Sequence, residues 1–322
     1  MVMPRVVHTA QALVDIVAEV PSLPRRGDNV NAASVARYAG GAVTILLAAR
    51  RMGAPAVHAG AIGTGPNGDL IREVLTSDGI DISADPIPHA DTGECFVMVE
   101  PTAERTFVTI YGAERMISTD LLHRAEARGG DLLCVSGYSL YEPTRDPLLD
   151  YLRALPSDVR IVLDPGAPFA GFSDAIREEM CALSSVWTSN ADEARDFTGA
   201  ADNEAAMRAI ARELPDDAVV IVRDGKEGSR VLAGAGSEIA VCPGYPREAV
   251  DTNGAGDTHT GAMLGLVAGG FDWELAAQAA NAAGAITVTR KGPSTAPNRD
   301  EVADFLRAEG EEELAARVAD VD

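Results

Sequence analysis

From residue 131 onward the chain alternates short apolar runs with amphipathic stretches, and that rhythm limits the fold more than any other feature. Residues 132–136, 159–163, 186–188 and 219–223 read as strands. Residues 145–154, 173–183, 191–197 and 204–214 read as helices, and 229–233 and 239–241 as later strands. Strand–helix alternation predicts a mostly parallel sheet with helices on both faces. Ligands of such sheets bind beyond the carboxyl ends of the strands. Polar clusters stand at those ends: Asp164-Pro165, Ser189-Asn190 and Asp224-Gly225-Lys226-Glu227-Gly228. The C-terminal part is helical, with Asp272 capping a helix through 276–285, another helix over 299–309, and an acidic tail.

The first half departs from this rhythm. Residues 6–17 read as one strand running into a second, with Asp15 flanked by apolar residues. Gly40-Gly41 opens a helix over 43–52, closed by Gly53. Residues 92–100 and 105–111 alternate across Pro101-Thr102-Ala103-Glu104, which predicts a β-hairpin. With the region around 15–31 it can form a small extra sheet, a natural lid beside a main domain. A strand at 56–62 leads through Gly63-Thr64-Gly65-Pro66-Asn67-Gly68 into a helix at 69–76. That is a literal G-x-G-x-x-G, so a dinucleotide site using Gly63, Gly65 and Gly68 stays open. Against it, the place for a ribose-binding acid is the proline-broken Asp85-Pro86-Ile87-Pro88.

A chain of 322 residues suits one large α/β domain. No apolar run approaches membrane-spanning length, and residues 1–15 lack a signal-peptide layout, so a cytoplasmic protein without membrane contact is expected. Cys95, Cys134, Cys181 and Cys242 lie far apart in apolar surroundings and read as reduced, buried thiols. The net charge of −22 argues against nucleic acid as a partner. Any phosphate must then be held locally, by amides, Mg²⁺ and cations such as Arg223, Lys226, Arg290 and Lys291.

The run Asp251-Thr252-Asn253-Gly254-Ala255-Gly256-Asp257-Thr258 precedes a small-residue helix expected over 260–268. A glycine turn feeding a helix N-terminus exposes amides and favours an anion. Asp257 there is either a plain N-cap or a base that takes a proton from whatever attacks a bound phosphate. No G-x-x-x-x-G-K-[ST] occurs, so a P-loop enzyme is excluded.

The pattern D-T-x-G-A-G-D resembles the C-terminal signature of the ribokinase-like sugar kinases, the PfkB family, and the resemblance extends over nearly the whole chain. It implies a three-layer α/β/α fold over 1–322, with a mostly parallel central sheet and a discontinuous β lid from about 13–38 and 92–111. It also implies ATP-dependent phosphorylation of a hydroxyl on a small sugar. Asp257 would be the catalytic base, with Gly254, Ala255 and Gly256 as the anion hole. Asp15 would hold the acceptor's hydroxyls, and Gly40-Gly41 would be the hinge between lid and main domain. Asn190 and Glu193 match an N-x-x-E motif implicated in Mg²⁺ and phosphate placement, mainly through water. Arg223, Gly225, Gly228, Thr252, Gly254, Gly256 and Asn281 would contact the nucleotide. A monovalent cation such as K⁺ near Asp251 and Ser294, and a homodimer through the lid hairpin, are further implications.

Relatives carry G-G-K-G-x-N at the hinge, where this chain has Gly40-Gly41-Ala42-Val43-Thr44-Ile45, and Leu13 replaces an asparagine. The acceptor pocket is therefore more apolar than a ribose site. Another sugar or a nucleoside remains open as acceptor. His259, where an apolar aromatic is usual, reads as helix packing before it reads as a contact to Asp257 or substrate. Position by position the plainer readings also stand: Asn190 and Glu193 as a capping box, Gly225 and Gly228 as hairpin glycines. Beside the kinase, an NAD-dependent oxidoreductase and a sugar or nucleotide sensor that has lost catalysis remain as alternatives.

Overall fold

The computed structural model describes residues 3–102 and 104–320. The chain begins with β1 (Val6–His8), β2 (Ala12–Glu19), β3 (Ser34–Gly41), α1 (Ala42–Arg51), β4 (Ala56–His58), α2 (Pro66–Ser77) and β5 (Asp81–Ile82). Next come β6 (Glu94–Val99), β7 (Arg105–Ile110), α3 (Thr119–His123), β8 (Leu132–Ser136), α4 (Arg145–Arg153), β9 (Arg160–Asp164) and α5 (Asp174–Leu183). They are followed by β10 (Val186–Asn190), α6 (Ala191–Thr198), α7 (Asn203–Glu213), β11 (Val219–Arg223), β12 (Gly228–Ala233) and β13 (Ile239–Pro243). The C-terminal helices are α8 (Ala255–Ala268), α9 (Trp273–Thr287), α10 (Arg299–Ala308) and α11 (Glu312–Ala319).

Among the described residues nine strands form the main sheet, in the order β13-β12-β11-β10-β9-β8-β1-β4-β5. From β11 to β5 all neighbours are parallel, and β12 and β13 return antiparallel. Period-two alternation splits its side chains between two cores. Val6, Leu132, Cys134, Val219 and Ile221 face one core, shared with α1, α8 and α9. Val7, Leu133, Val135, Val220 and Val222 face the other, shared with α4, α6 and α7. Runs apolar at every position are what a sheet buried on both faces requires. This is the three-layer arrangement expected. All four cysteines are free and buried.

Small residues bring the helices of the first core together. A Cβ at Gly261 would collide with the carbonyl of Ile45, and one at Gly265 would stand 2.7 Å from that of Ala49. Helix α8 therefore lies directly on the backbone of α1. Capping explains where other helices begin: Asn190 and Glu193 form a reciprocal capping box on α6, as do Asn298 and Glu301 on α10.

A second sheet of four strands has the order β3-β2-β6-β7. Its register lines up Tyr38, Asp15, Cys95 and Thr109 as one row, so these side chains share a face. Arg105 and Phe107 follow Thr109 on that face, and Val35, Phe96, Val108 and Ile110 lie on the opposite one.

Several boundaries differ from the sequence reading. Helix α8 starts at Ala255, five residues earlier than expected, because small residues with no apolar periodicity still pack as a helix when both sides are buried. Residues 34–41 are a strand, although their composition gives little β signal; pairing with β2 along its whole length fixes it. The strand expected over 56–62 ends at His58, and the short helix α3 had no periodic signal.

His8 and His58 are register partners on β1 and β4, and both are buried. Burial, with the neighbouring His58, lowers His8 to about 3; burial lowers His58 to about 4. The folded protein refuses protons that the unfolded chain accepts below about 6.5, so these histidines cost stability as pH falls from there towards 4. His58→Leu should flatten that part of the pH dependence by on the order of 2 kcal/mol. Urea unfolding of both proteins at pH 7 and pH 5 measures it, and parallel losses would show that the histidines contribute nothing.

Candidate active site

The turn before α8 is set by backbone sterics. Gly254 is its N-cap with φ 74°, a left-handed conformation that glycine adopts without penalty. A Cβ there would stand 2.8 Å from the carbonyl oxygen of Pro293. The helical ladder begins with Thr258 N–H donating to the Gly254 carbonyl at 2.8 Å. The amides of Gly256 and Asp257 lie in the first turn, where no intrahelical acceptor exists. Asp257 is thus inside that turn rather than an N-cap.

Asp257 is the most perturbed carboxylate of the cleft. It is raised to about 7 by burial first, then by Asp164, Asp15 and Glu193, with Arg223 opposing. Glu193 is raised by burial and by Asp164. Arg223, at the end of β11, lies beneath the turn. Its guanidinium donates to Thr188 Oγ1 at 3.2 Å, to the Gly256 carbonyl at 3.4 Å and to Thr260 Oγ1, and it meets Asp164 Oδ2 at 3.5 Å. Acids from β9, α6 and α8 therefore share one cation.

Asp15 projects from β2 and is raised by burial to about 6. Its carboxylate lies against Gly40, where any Cβ would collide with it. Gly41, with φ 62°, lets the chain leave β3 for α1 beside the Gln11 carbonyl. Of the two glycines expected as a hinge, Gly40 makes room for the acid and Gly41 for the Gln11 carbonyl.

A pocket of about 490 Å³ opens beside α8 and α9, within the range of small-molecule sites. Asn190, Arg223, Gly225, Gly228, Thr252, Ala255, Gly256 and Asn281 line it, so the candidate nucleotide contacts from distant stretches of the chain meet there. Asn281 donates to the carbonyls of Cys242 and Pro243 at 2.9 and 3.2 Å, fixing β13 to α9. Gly228, with φ 95°, lies against that strand end. His259 lines the same pocket and is kept neutral, lowered to about 3 by burial and then by Arg223. Asp15, Gly254, Asp257, Glu193, Asp251 and Ser294 lie outside its lining.

Asn190 and Glu193 make the capping box: Glu193 N–H donates to Asn190 Oδ1 at 2.8 Å, and Asn190 N–H to Glu193 Oε2 at 2.9 Å. Among the described residues no group of three or more His, Cys, Asp or Glu side chains is placed to hold a metal. A single carboxylate beside phosphates fits Mg²⁺, which keeps several waters. Asp251 accepts from Asn253 N–H at 2.8 Å and Gly292 N–H at 3.0 Å, while Ser294 Oγ donates to the Ala39 carbonyl at 2.8 Å. These bonds join the turn before α8 to β3.

The G-x-G-x-x-G reading fails on geometry. The start of α2 is already filled by a protein anion: Asp91 accepts from Asn67 N–H at 3.1 Å and Gly68 N–H at 2.9 Å. Arg72 closes the turn by donating to the Gly63 carbonyl at 2.7 Å. No room remains for a pyrophosphate, so Gly63, Gly65 and Gly68 are structural.

The model of the pfkB family of carbohydrate kinases matches residues 3–316. The chain belongs to this family. It is a carbohydrate kinase, not an oxidoreductase. The uncharacterized sugar kinase YegV of Escherichia coli (strain K12) is 31% identical over 294 residues, covering 90% of each protein. Among solved structures, the ribokinase of Giardia lamblia superposes with a TM-score of 0.82 at 24% identity, covering 95% of this chain and 99% of that one. A putative ribokinase II of E. coli, in complex with ATP and Mg²⁺, gives 0.79 at 23%, covering 95% and 100%.

Some residues of the cleft were missed in the sequence. Asp164 was visible as a strand-end cluster, but nothing local tied it to Arg223, 59 residues away. Arg105, Tyr245 and Arg247 line the pocket from elements whose placement only the fold decides.

Gly254→Ala tests the turn. Left-handed strain plus the Pro293 contact should destabilise the protein by roughly 1–3 kcal/mol. A melting temperature within a degree of wild type would show that the turn relaxes freely.

Proposed function

We propose that this kinase transfers the γ-phosphoryl group of ATP to a hydroxyl of a small sugar or sugar derivative, with Asp257 as base. The observation that carries the reading is a carboxylate raised to about 7 in the first turn of a helix that begins at a left-handed glycine. The acceptor hydroxyl gives its proton to Asp257 as its oxygen forms a bond to the γ-phosphorus. The bond from that phosphorus to the bridging oxygen breaks, and ADP leaves. The amides of Ala255, Gly256 and Asp257, with the α8 dipole, face the charge that develops. Asp15 orients the acceptor, and the pocket lined by Asn190, Arg223, Gly225, Gly228, Thr252 and Asn281 takes the nucleotide. Mg²⁺ would be held by phosphates and waters near Glu193 and Asn190, and it neutralises phosphate charge when bound.

The four-stranded sheet acts as a lid in this reading. Its inner face carries Asp15 and also Arg105, which donates to Asn253 Oδ1 at 3.3 Å. Its outer face exposes Val35, Phe96, Val108 and Ile110, the surface proposed for pairing with a second copy. A monovalent cation beside Asp251 and the 291–294 loop is a further element, which turnover independent of K⁺ would remove.

Asp257→Asn should leave the fold intact and cut turnover by roughly 10²–10⁴-fold. The assay is ADP release from ATP and Mg²⁺ with pooled sugars and nucleosides, and retained turnover would defeat the base assignment. The ionised carboxylate is the active form, so kcat/KM should rise with pH through an inflection near 7. Asp164→Asn removes a like charge and should move that inflection to lower pH; an unmoved profile would assign it to another group.

A further inference from the structure

Three tyrosines cluster at the ends of β7 and β8, joined to the Gly41-Ala42 turn through Gln11, which donates to the Tyr138 carbonyl and accepts from Ala42 N–H, and the kinase reading gives them no part. Tyr111 directly follows β7, in alternation with Thr109 on the face that carries Asp15. Tyr138 and Tyr141 follow the carboxyl end of β8. All three stay largely open to solvent, with relative exposures of 60%, 50% and 44%. Each ring therefore keeps a large apolar surface open to solvent.

They are also held in place. Arg115 is buried, and its guanidinium donates to the carbonyls of Tyr138 at 3.2 Å, Tyr141 at 3.2 Å and Glu142 at 2.6 Å. The same group stacks over the Tyr111 ring, 4.7 Å from its centroid. Tyr138 has one edge against Gly166, where a Cβ would stand 2.8 Å from its ring. Gln11, one residue before β2, reaches the Tyr138 carbonyl at 3.4 Å. Tyr141 packs its edge on Phe172 at 4.9 Å. The Ser136–Asp164 register and the Gly166 contact place Tyr138 at the end of the sheet that carries Asp164, and its phenol is raised by burial and then by the charges of Glu193 and Asp164.

Two positions of the hinge are apolar in this chain. Ala42 and Ile45, at positions where relatives carry lysine and asparagine, are buried. A sugar gains no hydroxyl partner from those two positions, whereas rigid rings offer a planar group stacking area at little entropic cost.

We infer that the acceptor is a nucleoside: a sugar whose hydroxyl reaches Asp257 and whose planar base lies on Tyr138, flanked by Tyr111 and Tyr141. This rests on the proposed kinase reading and names its substrate class. The base supplies through stacking the binding that the apolar hinge withholds from the sugar.

The test is steady-state phosphorylation of ribose, fructose, cytidine, uridine, adenosine and inosine, with ATP and Mg²⁺, by wild type, Tyr138→Ala and Tyr138→Phe. At least one nucleoside should exceed both free sugars by tenfold or more in kcat/KM. Tyr138→Ala should lower that ratio by roughly tenfold, the scale of one base stacked on one ring. Tyr138→Phe keeps the ring and should restore the preference. Melting curves check that the variants fold, and Tyr141→Ala, tested in the same way, replaces Tyr138→Ala if that protein does not. Free sugars preferred over every nucleoside would overturn the nucleoside assignment and leave the kinase standing. Equal losses for sugar and nucleoside in Tyr138→Ala would overturn the stacking role. Phosphorylation of no acceptor would overturn both readings.

Discussion

Arg223 is the charge on which the rest of the cleft depends. Asp164, Glu193, Asp257 and Asp15 come from four different elements, and the other three all raise the proton affinity of Asp257. Without a cation among them, like-charge repulsion and burial together would leave the group protonated or apart. The guanidinium does more than neutralise. By bonding Thr188, Thr260 and the Gly256 carbonyl it ties the ends of β10 and β11 to the first turn of α8. Planar, multidentate donation of this sort is available to arginine and not to lysine.

A second constraint is steric. The site is assembled where backbone meets side chain without a Cβ between them. Asp15 occupies the space over Gly40, Pro293 fills that beside Gly254, and Tyr38 lies against Gly292. Loop 291–296 runs between these points. Gly292 N–H donates to Asp251 at one end, Ser294 Oγ donates to the Ala39 carbonyl in the middle, and Arg51 holds the loop by donating to the Ala296 carbonyl at 2.6 Å. The turn before α8 and the strand pair that carries Asp15 are thereby parts of one connected frame.

The fold was legible from residue 131 onward because parallel strands buried on both faces leave continuous apolar runs, and β8 and β11 begin and end where the sequence placed them. The start of α8 was not, since glycine, alanine and threonine carry no periodicity that marks a face. Strand β3 was hidden for a related reason: Ser34, Ala36, Gly40 and Gly41 give little β signal, and pairing with β2 decides the matter. In the site, residues inside a local motif were readable, among them Gly254, Asp257, Asn190 and Gly228. Asp164 and the tyrosines held by Arg115 were not, because their meaning lies in contacts across long stretches of chain. The G-x-G-x-x-G stretch shows the converse. Its spacing is that of a phosphate loop, but Asp91, supplied from 23 residues away, fills the place the phosphate would take.

The glycine contacts between α8 and α1 bear on how such an enzyme can diversify. With Gly261 and Gly265 seated on the backbone of α1, the helix that carries Asp257 has no freedom to slide or tilt. The tyrosines held by Arg115, by contrast, sit on connecting loops and a strand end, outside both cores. The rigid frame and the exposed rim are thus separate parts of the molecule. A few exposed positions can be rewritten while the buried carboxylates stay where they are.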